Sequence, residues 1–440
     1  MQGATTPGPD GQDSAYERAL ISKIKWRLMP LMFLCYVVSY LDRVNVGFAS
    51  LQMNRDLGLS DSVFGFGAGI FFIGYFLFEV PSNLIMERVG ARVWIARIMV
   101  TWGVISGAMM FTTGAASFFT LRFLLGVAEA GFFPGIILYM TYWFPARERA
   151  RTVAVFMTAN AAAGIIGGPM SGALLTMQGV GGLAGWQWLF LVEAVPAVVL
   201  GGAVLLWLPN GPHDARWLSG EEREWLGRRL ASEAGAGGRE GHRVVLGRLL
   251  RSGQVWLFSA LYLSLVVALY SISFWLPQIL QRLSGSSDLV VGFVSALPYV
   301  VAAVGMVLIA RHSDAHEERR WHVAIPLLVA AAGLALSIFA ESTALAVFAI
   351  SIAALGIWGS LGPFWAMPTA VLRGTAAAAG IAWINSVGNL GGFLGPYAVG
   401  AIRDLTGGFG ASLGTLAAIL VVGAGLALLV PRRESNSARG

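Results

Sequence analysis

Asp42 and Arg43 stand side by side inside an apolar stretch that runs from Leu28 to Ser50. A charged side chain at bilayer depth costs about 2.5–3.5 kcal/mol on insertion scales, so such charges mark pathways and relays. A second pair, Arg122 and Glu129, stands in the fourth apolar stretch. Arg43 stays protonated and offers a planar fork, which is the chemistry of a carboxylate site. Tyr36, Tyr40 and Arg43 follow at i, i+4 and i+7 and share one helical face. Asp42 points aside, and in a dry environment it takes a proton when its partner is lost. The spacing Arg122-x3-Gly126-x2-Glu129 sets a charged stripe, with Gly126 allowing close helix approach. These four charges sum to zero, and a bound anion upsets that balance, which is a basis for coupling an anion to protons. The plainer alternatives are a static ion pair for the first couple and a fixed interhelical clamp for the second. Buried pairs contribute little stability, so the first alternative explains less.

Helices crossing a bilayer must position these charges. Hydrophobic residues make up 56% of the 440-residue chain and charged residues 12%, against about 25% charged in soluble domains. Twelve apolar segments can be counted: 28–50, 62–84, 92–114, 118–142, 150–176, 187–208, 252–281, 288–311, 321–340, 343–372, 375–403 and 409–431. Each is read as a spanning helix, for which about 20 residues suffice. The N-terminal residues lack a cleavable signal pattern, so the first segment is read as a retained helix. Cys35 is the only cysteine, which excludes an internal disulfide and a cysteine metal site.

Lys and Arg orient the chain. With the N-terminus inside, 25 of them fall on the cytoplasmic side and only Arg55, Arg282 and Arg403 outside. The inside set includes Arg239, Arg243, Arg248, Arg373, Arg432, Arg433 and Arg439. Alternating loops carry the net charge of +6, which argues against a nucleic-acid face. The expected organisation is a cytoplasmic tail (1–27), a six-helix bundle (28–208), a cytoplasmic linker (209–251), a second six-helix bundle (252–431) and a cytoplasmic tail (432–440). In the linker, Ser219 and Glu222 have capping-box spacing before an amphipathic surface helix, and a Gly-rich run follows at 235–241. Pro169 and Pro396, Glu87 and Asp314, and Arg92 and Arg319 are all 227 residues apart, so the bundles read as repeats.

Further residues carry less specific signals. Glu87, Arg88 and Arg92 flank a tight turn, and Asp314 and Arg319 mirror it. Acid at a helix end with Arg across the turn reads as a breakable gating latch. Glu79 reads as a partner for loop arginines near the inner surface, with a proton relay as the alternative, and Glu193, close to the outer end of its helix, as structural. Tyr270, Trp275, Tyr299, Trp365, Trp383, Asn385 and Asn389 are candidates for the second half's pocket wall. No phosphate loop, nucleophile triad or metal-ligand cluster is found, and the five His are scattered. Neither an enzyme nor a cofactor or metal is expected.

Arg122-x3-Gly126-x2-Glu129-Ala130-x3-Pro134, Glu87 to Arg92 and Gly168-Pro169 resemble motifs of the major facilitator superfamily. Gly185-Trp186-Gln187-Trp188 departs from that superfamily's Trp-Arg-Trp. YLDRVNVGFA (40–49), FEVPSNLIMERVGARVW (78–94), GPFWAMPTAVL (362–372) and INSVGNLGGFLGPY (384–397) resemble, more narrowly, the anion:cation symporter family. The resemblance implies an all-α membrane protein of twelve transmembrane helices in two six-helix bundles, with cytoplasmic termini. It implies import of a small organic anion, tartrate-like or a sugar acid, with protons. Asp42 and Glu129 would then be the proton-coupling carboxylates, linked to the site by Arg122. Arg43, Tyr40, Tyr75 and Asn160 would contact the anion, with Trp365, Asn385 and Asn389 in the second half. The expected partners are an organic carboxylate, protons and the bilayer of the inner membrane, around a monomer. The alternative function is efflux of amphipathic or aromatic compounds by proton antiport, which the helix-five Gly-Pro and fifteen Trp would suit. The buried Arg pair argues against hydrophobic cations.

Overall fold

The computed structural model describes residues 9–234, 251–371 and 375–431. The Gly-rich run and Arg239, Arg243, Arg248, Arg373, Arg432, Arg433 and Arg439 lie outside them. Among the described residues every regular element is helical. The first half contains α1 (Pro9–Asp56), α2 (Asp61–Val89), α3 (Ala91–Ala108), α4 (Ala115–Glu129), α5 (Phe132–Thr141), α6 (Ala146–Met157), α7 (Ala159–Leu175) and α8 (Gly185–Trp207). A surface helix, α9 (Gly220–Ala234), follows. The second half contains α10 (Gly253–Ser284), α11 (Asp288–Ala315), α12 (Trp321–Ile338), α13 (Thr343–Gly359), α14 (Leu361–Val371), α15 (Thr375–Asn389), α16 (Gly391–Thr406) and α17 (Gly410–Leu429).

Eleven helical stretches are long and apolar enough to cross a membrane. They match eleven of the twelve expected segments. The remaining segment, 375–403, arrives as α15 and α16, each shorter than 18 residues and parted at Leu390. Backbone crowding accompanies the break: a Cβ on Gly391 would lie 2.8 Å from the Val267 nitrogen, and one on Gly392 would enter the Phe72 ring.

Beside the α1–α10 contact, where Gly47 meets the Phe274 carbonyl, the halves meet along two further glycine-packed seams. In one, α2 packs on α16, and Gly65 leaves no room for a side chain against the Pro396 carbonyl. In the other, α7 packs on α11, and Gly292 meets the Gly168 carbonyl in the same way. Small residues let helix backbones approach where lipid offers no hydrophobic drive. Gly65 and Gly292 are 227 residues apart, the offset of the sequence landmarks, so one contact is made twice.

One end of the bundle is closed by polar ties between the halves. Arg403 pairs with Asp61 at 2.9 Å and donates to Gln278 at 2.7 Å. Gln278 donates to Ser50, and Gln52 donates to Asp288, both at 2.7 Å. The opposite end carries the α2–α3 and α11–α12 turns. There, no hydrogen bond joins the two halves among the described residues.

The linker helix α9 is tied to α1 by Lys23, whose ammonium lies 2.8 Å from Glu222. Ser219 and Glu222 close the expected capping box, at 2.7 and 3.1 Å. Burial raises the Glu222 carboxyl slightly, but the bonds from Lys23 and Ser219 outweigh it and hold the group below its usual range.

Candidate functional site

Four of the apolar stretches are interrupted. α4 ends on Glu129, where Gly131 takes a left-handed φ of 85° against Ser82. The α6–α7 junction at Thr158 precedes Asn160, the α13–α14 junction at Ser360 follows Trp358, and the α15–α16 break follows Asn389. Irregular backbone at membrane depth is tolerated where it is buried in protein or lines a cavity. Glu129, Asn160 and Asn389 stand beside these breaks.

Arg43 is the centre of the candidate site. Its guanidinium forms an ion pair with Glu129 and donates to the Tyr270 hydroxyl at 3.0 Å. Arg43 belongs to the first half and Tyr270 to the second, 227 residues away. Its Cζ lies 5.3 Å from the Phe71 ring centre and 5.4 Å from that of Tyr75, within cation–π range. The Arg43 Nε has no partner. Ser39 donates to Glu129 at 2.7 Å. Arg43 thus holds a carboxylate of its own protein with part of its fork and has donor capacity left over.

Arg122 does not pair with Glu129 as the stripe suggested. It is fully buried and donates to the carbonyls of Ala68, at 2.9 Å, and Gly67, at 3.4 Å. Its Nη1 has no partner, and its Cζ lies 5.1 Å from Phe71. Seven residues place Arg122 and Glu129 on one face, but the helix ends at Glu129, which turns to α1.

Asp42 is turned away from Arg43, as the helical register predicts. It accepts from Trp102 Nε1 at 2.5 Å, Ser106 at 2.6 Å and Asn45 at 3.3 Å, in the cleft between α1 and α3. Among the described residues neither Tyr36 nor Tyr40 forms a hydrogen bond with the guanidinium, whose tyrosine partner is Tyr270. Tyr36 stacks on Phe156 at 4.6 Å, and the Tyr40 hydroxyl is buried without a partner. The structure gathers Arg43, Glu129 and Tyr75 and brings Asn160 to the seam, where its Oδ1 accepts from Trp358 at 3.3 Å.

Glu79 is the largest departure from expectation. Instead of pairing with loop arginines it is 5% exposed and crosses to the second half. Asn385 and Ser386 both donate to it at 3.2 Å. Asn385 is therefore placed beside a carboxylate. Trp365 packs edge-on to Tyr262 at 4.8 Å, and Asn389 is half-buried at the helix break. Trp275 leaves the list of pocket candidates: it donates to the Pro396 carbonyl and packs against Phe64 and Phe409 at the closed end. Sequence reasoning did not single out Ser39, Trp358 or Ser386. A lone Ser or Trp in an apolar helix carries no signal until a partner helix supplies the acid or amide.

The two turns differ. Arg319 pairs with Asp314 at 2.7 Å and donates to Ser313 at 2.8 Å. Among the described residues no ion pair holds Glu87, Arg88 or Arg92, so the expected latch is formed in one copy only. The Arg92 amide instead donates to Asn210 at 3.1 Å, and Glu87 borders a cavity of about 880 Å³ with Arg149, Asn210 and Arg223. The His are less scattered than their spacing implied: His312 lies 2.6 Å from His322 and stacks near His316. Glu318 caps the start of α12; burial raises its carboxyl slightly, but bonds from the Trp321 and His322 amides and the His322 ring hold it lower than usual. No group of His, Cys, Asp and Glu fit to hold a metal is found among the described residues.

The fold and the buried charges define a transport protein. The family model for the Major Facilitator Superfamily matches residues 32–396, and the chain belongs to that superfamily. It is a multi-pass membrane transporter and not an enzyme. A protein described as a putative tartrate transporter from Agrobacterium vitis is 52% identical over 96% of both chains. A putative metabolite transport protein, NicT, from Pseudomonas putida is 42% identical over 95% of this chain and 96% of its own. A quinolone resistance transporter from Acinetobacter baumannii is 40% identical over 94% and 95%. Among solved structures, a D-xylose-proton symporter superposes with a TM-score of 0.74 at 17% identity, covering 92% of this chain and 97% of that one.

Proposed function

We propose that the protein imports a small organic anion, a tartrate-like hydroxy-dicarboxylate or a sugar acid, together with protons. Arg43 carries this reading. It stands where the halves meet, holds Glu129, reaches Tyr270, and keeps an unpartnered Nε. A substrate carboxylate would take the place of Glu129 on the fork, and the displaced Glu129 would take a proton because it is left buried without its cation. Anion and proton then enter the site together. Tyr75, Asn160, Trp365, Asn385 and Asn389 would line the remainder, with Tyr40 supplying a hydroxyl. Arg122 would keep the α2–α4 packing that positions Glu129 rather than carry a proton itself. The 52%-identical relative described as a tartrate transporter supports this substrate class.

Alternating access would rock two six-helix bundles, 28–208 and 252–431, about the site. The twelfth span would comprise α15 and α16, and both termini would be cytoplasmic, as the Lys and Arg bias requires. The closed end at Asp61 and Arg403 would then be periplasmic, and the present conformation would face inward. Glu87, Arg88 and Arg92 would form their latch on opening outward, alongside Asp314 and Arg319.

The test is uptake of labelled tartrate into proteoliposomes under an inward proton gradient. Uptake is expected in the wild type and lost in R43A and R43K, since Lys cannot present the same fork. E129Q is expected to exchange substrate but not to accumulate it. Unimpaired uptake by R43A, or accumulation by E129Q, overturns the reading. A second reading, proton-antiport efflux of aromatic compounds, is favoured by the quinolone-resistance relative and the aromatic second half. It predicts that norfloxacin, not tartrate, moves against its gradient in the same vesicles.

A further inference from the structure

Three of the five histidines meet at the turn between α11 and α12, and no step of the transport reading uses them. Glu318, at the start of α12, accepts from His322 Nδ1 at 2.8 Å. His322 Nε2 lies 2.6 Å from His312 Nδ1. His316 stacks near His312 with ring centres 4.1 Å apart, and its Nδ1 lies 2.9 Å from the His312 carbonyl. The acceptors fix where the hydrogens lie. A carboxylate and a carbonyl only accept, so His322 Nδ1 and His316 Nδ1 each carry one. A neutral His322 then presents a bare Nε2, and His312 Nδ1 donates to it. The His312–His322 pair can take one extra proton, on His312 Nε2, with every bond kept. A second proton sets two N–H groups against each other across 2.6 Å and two positive rings 4.9 Å apart. Like charges that close oppose each other, so the bond between the rings is lost.

The turn that these rings clamp is strained. Glu317 has a φ of 50°, the only positive value outside glycine among the described residues. Its counterpart 227 residues earlier is Gly90, with a φ of 96°. A side chain therefore stands where the first copy of the turn uses glycine, and left-handed backbone is unfavourable for a residue with a Cβ. The counterparts of His312, His316, Glu318 and His322 are Ile85, Val89, Ala91 and Ile95. The second copy thus has a costlier turn together with a histidine clamp, and the first copy has neither. Ser313 joins the clamp to the latch. It donates to the Glu318 carbonyl at 2.5 Å and accepts from Arg319, which pairs with Asp314.

We propose that His312, His316 and His322 form a proton sensor that holds the α11–α12 turn closed at neutral pH and releases it in acid. Release lets Glu317 leave its left-handed conformation and loosens the Asp314–Arg319 pair through Ser313. The other charged groups at this turn are Arg311, Glu317 and Arg320, and Arg320 donates to the Leu428 carbonyl at the end of α17. Of the helices packed on α11 and α12, α7, α13, α14 and α17 contain no Lys, Arg, His, Asp or Glu. α10 carries Arg282 at its opposite end, and Arg251 precedes its start. Arg373, Arg432 and Arg433 lie outside the described residues. On the proton-coupled reading above, the turn is cytoplasmic and its latch supports outward opening, so protons delivered by import would slow the next cycle. That role in transport rests on the reading above; the clamp itself does not.

Electron paramagnetic resonance of the full-length protein in lipid bilayers tests the sensor, with a nitroxide on A315C in a C35S background and no substrate present. Ala315 is exposed beside the clamp. The label is expected to be held at about pH 8 and mobile at about pH 5.5, the range over which histidine changes charge. That step is expected to vanish in H312Q and H322Q and to persist in H213Q. It is expected to shrink in E317G, which removes the strain that release relieves. Thermal unfolding of each variant confirms that it is folded. Absence of a step without these substitutions overturns the proposal, and so does a full step in H312Q, H322Q or E317G. In vesicles whose interior is acidified at a fixed proton gradient, tartrate uptake is expected to slow, and not to slow in H312Q; equal slowing in both rejects the sensor's role in transport. The spectrum needs no transported compound, so failure of the uptake assay alone rejects the transport reading and leaves the clamp standing.

Discussion

The two seams between the halves are the same contact built twice and finished differently. Along α2 and α16, Gly65 and Gly69 meet Pro396 and Phe393; along α7 and α11, Gly168 and Gly172 meet Gly292 and Asp288. The first seam is tied at both levels by charge. Asp61 and Arg403 pair at the closed end, and Glu79 holds Asn385 and Ser386 deeper in. The second seam has no ion pair among the described residues. Its acid, Asp288, stands 227 residues after Asp61 and is served by the amides of Gln52 and Gln281, each at 2.7 Å. Close glycine packing sets where the halves touch. An ion pair on one side only makes that side the more sensitive to salt, while the other side, whose acid is held by neutral amides, can act as a pivot.

Breaking the pivot should have the largest effect. Gly292→Leu places a side chain where the Gly168 carbonyl already sits, and overpacking of this kind costs about 1–3 kcal/mol. The expected outcome is a lower thermal midpoint and loss of uptake, read by fluorescence unfolding and vesicle assay; a variant with wild-type uptake would show that the seam has slack. Arg403→Gln should weaken only the charged seam. The pair is part-exposed, with side chains 17% and 24% accessible, so the loss should stay near 1 kcal/mol or below. Spin-label distances across α2 and α16 should broaden toward an open end, while those across α7 and α11 stay narrow.

The smallest effect is expected from acid. Burial raises the Asp404 carboxyl slightly, but bonds from Ser62 and the Asp61 amide outweigh it and hold the group below its usual range. A depressed carboxyl stabilises the fold above its unfolded value, about 3.9, and that contribution is lost as pH falls through the folded value. Mild acidification below about pH 4 should therefore loosen the α2–α16 end before the α7–α11 end. Equal broadening at both ends would dissolve the distinction.

Much of this architecture is legible before any coordinates. Eleven apolar stretches, the 227-residue repeat and the surface helix at Ser219–Glu222 follow from local composition and spacing. Asp42 and Arg43 diverge because adjacent helical residues point apart. The pairings were not legible. Arg122 and Glu129 share a helical face but take different partners, since Ala68 and Arg43 approach from other helices. Glu79 looked like a residue for loop arginines and met Asn385, 306 positions away. Glu193 looked structural from its place near the outer end of its helix, and its donor, Ser171, comes from α7, 22 positions away.

The amino-acid sequence by itself determined that this chain inserts into a bilayer, that it is built as a repeat, and that its costly charges lie in the first half. Those properties depend on residue type and periodicity, which each segment carries alone. Tertiary structure decided which acid holds Arg43, that Tyr270 completes its reach from the other half, and that Asp42, Glu79 and Glu193 are served by neutral donors instead of guanidiniums. Those properties depend on side chains from separate helices meeting within hydrogen-bond distance, and the packing of the glycine seams sets that distance.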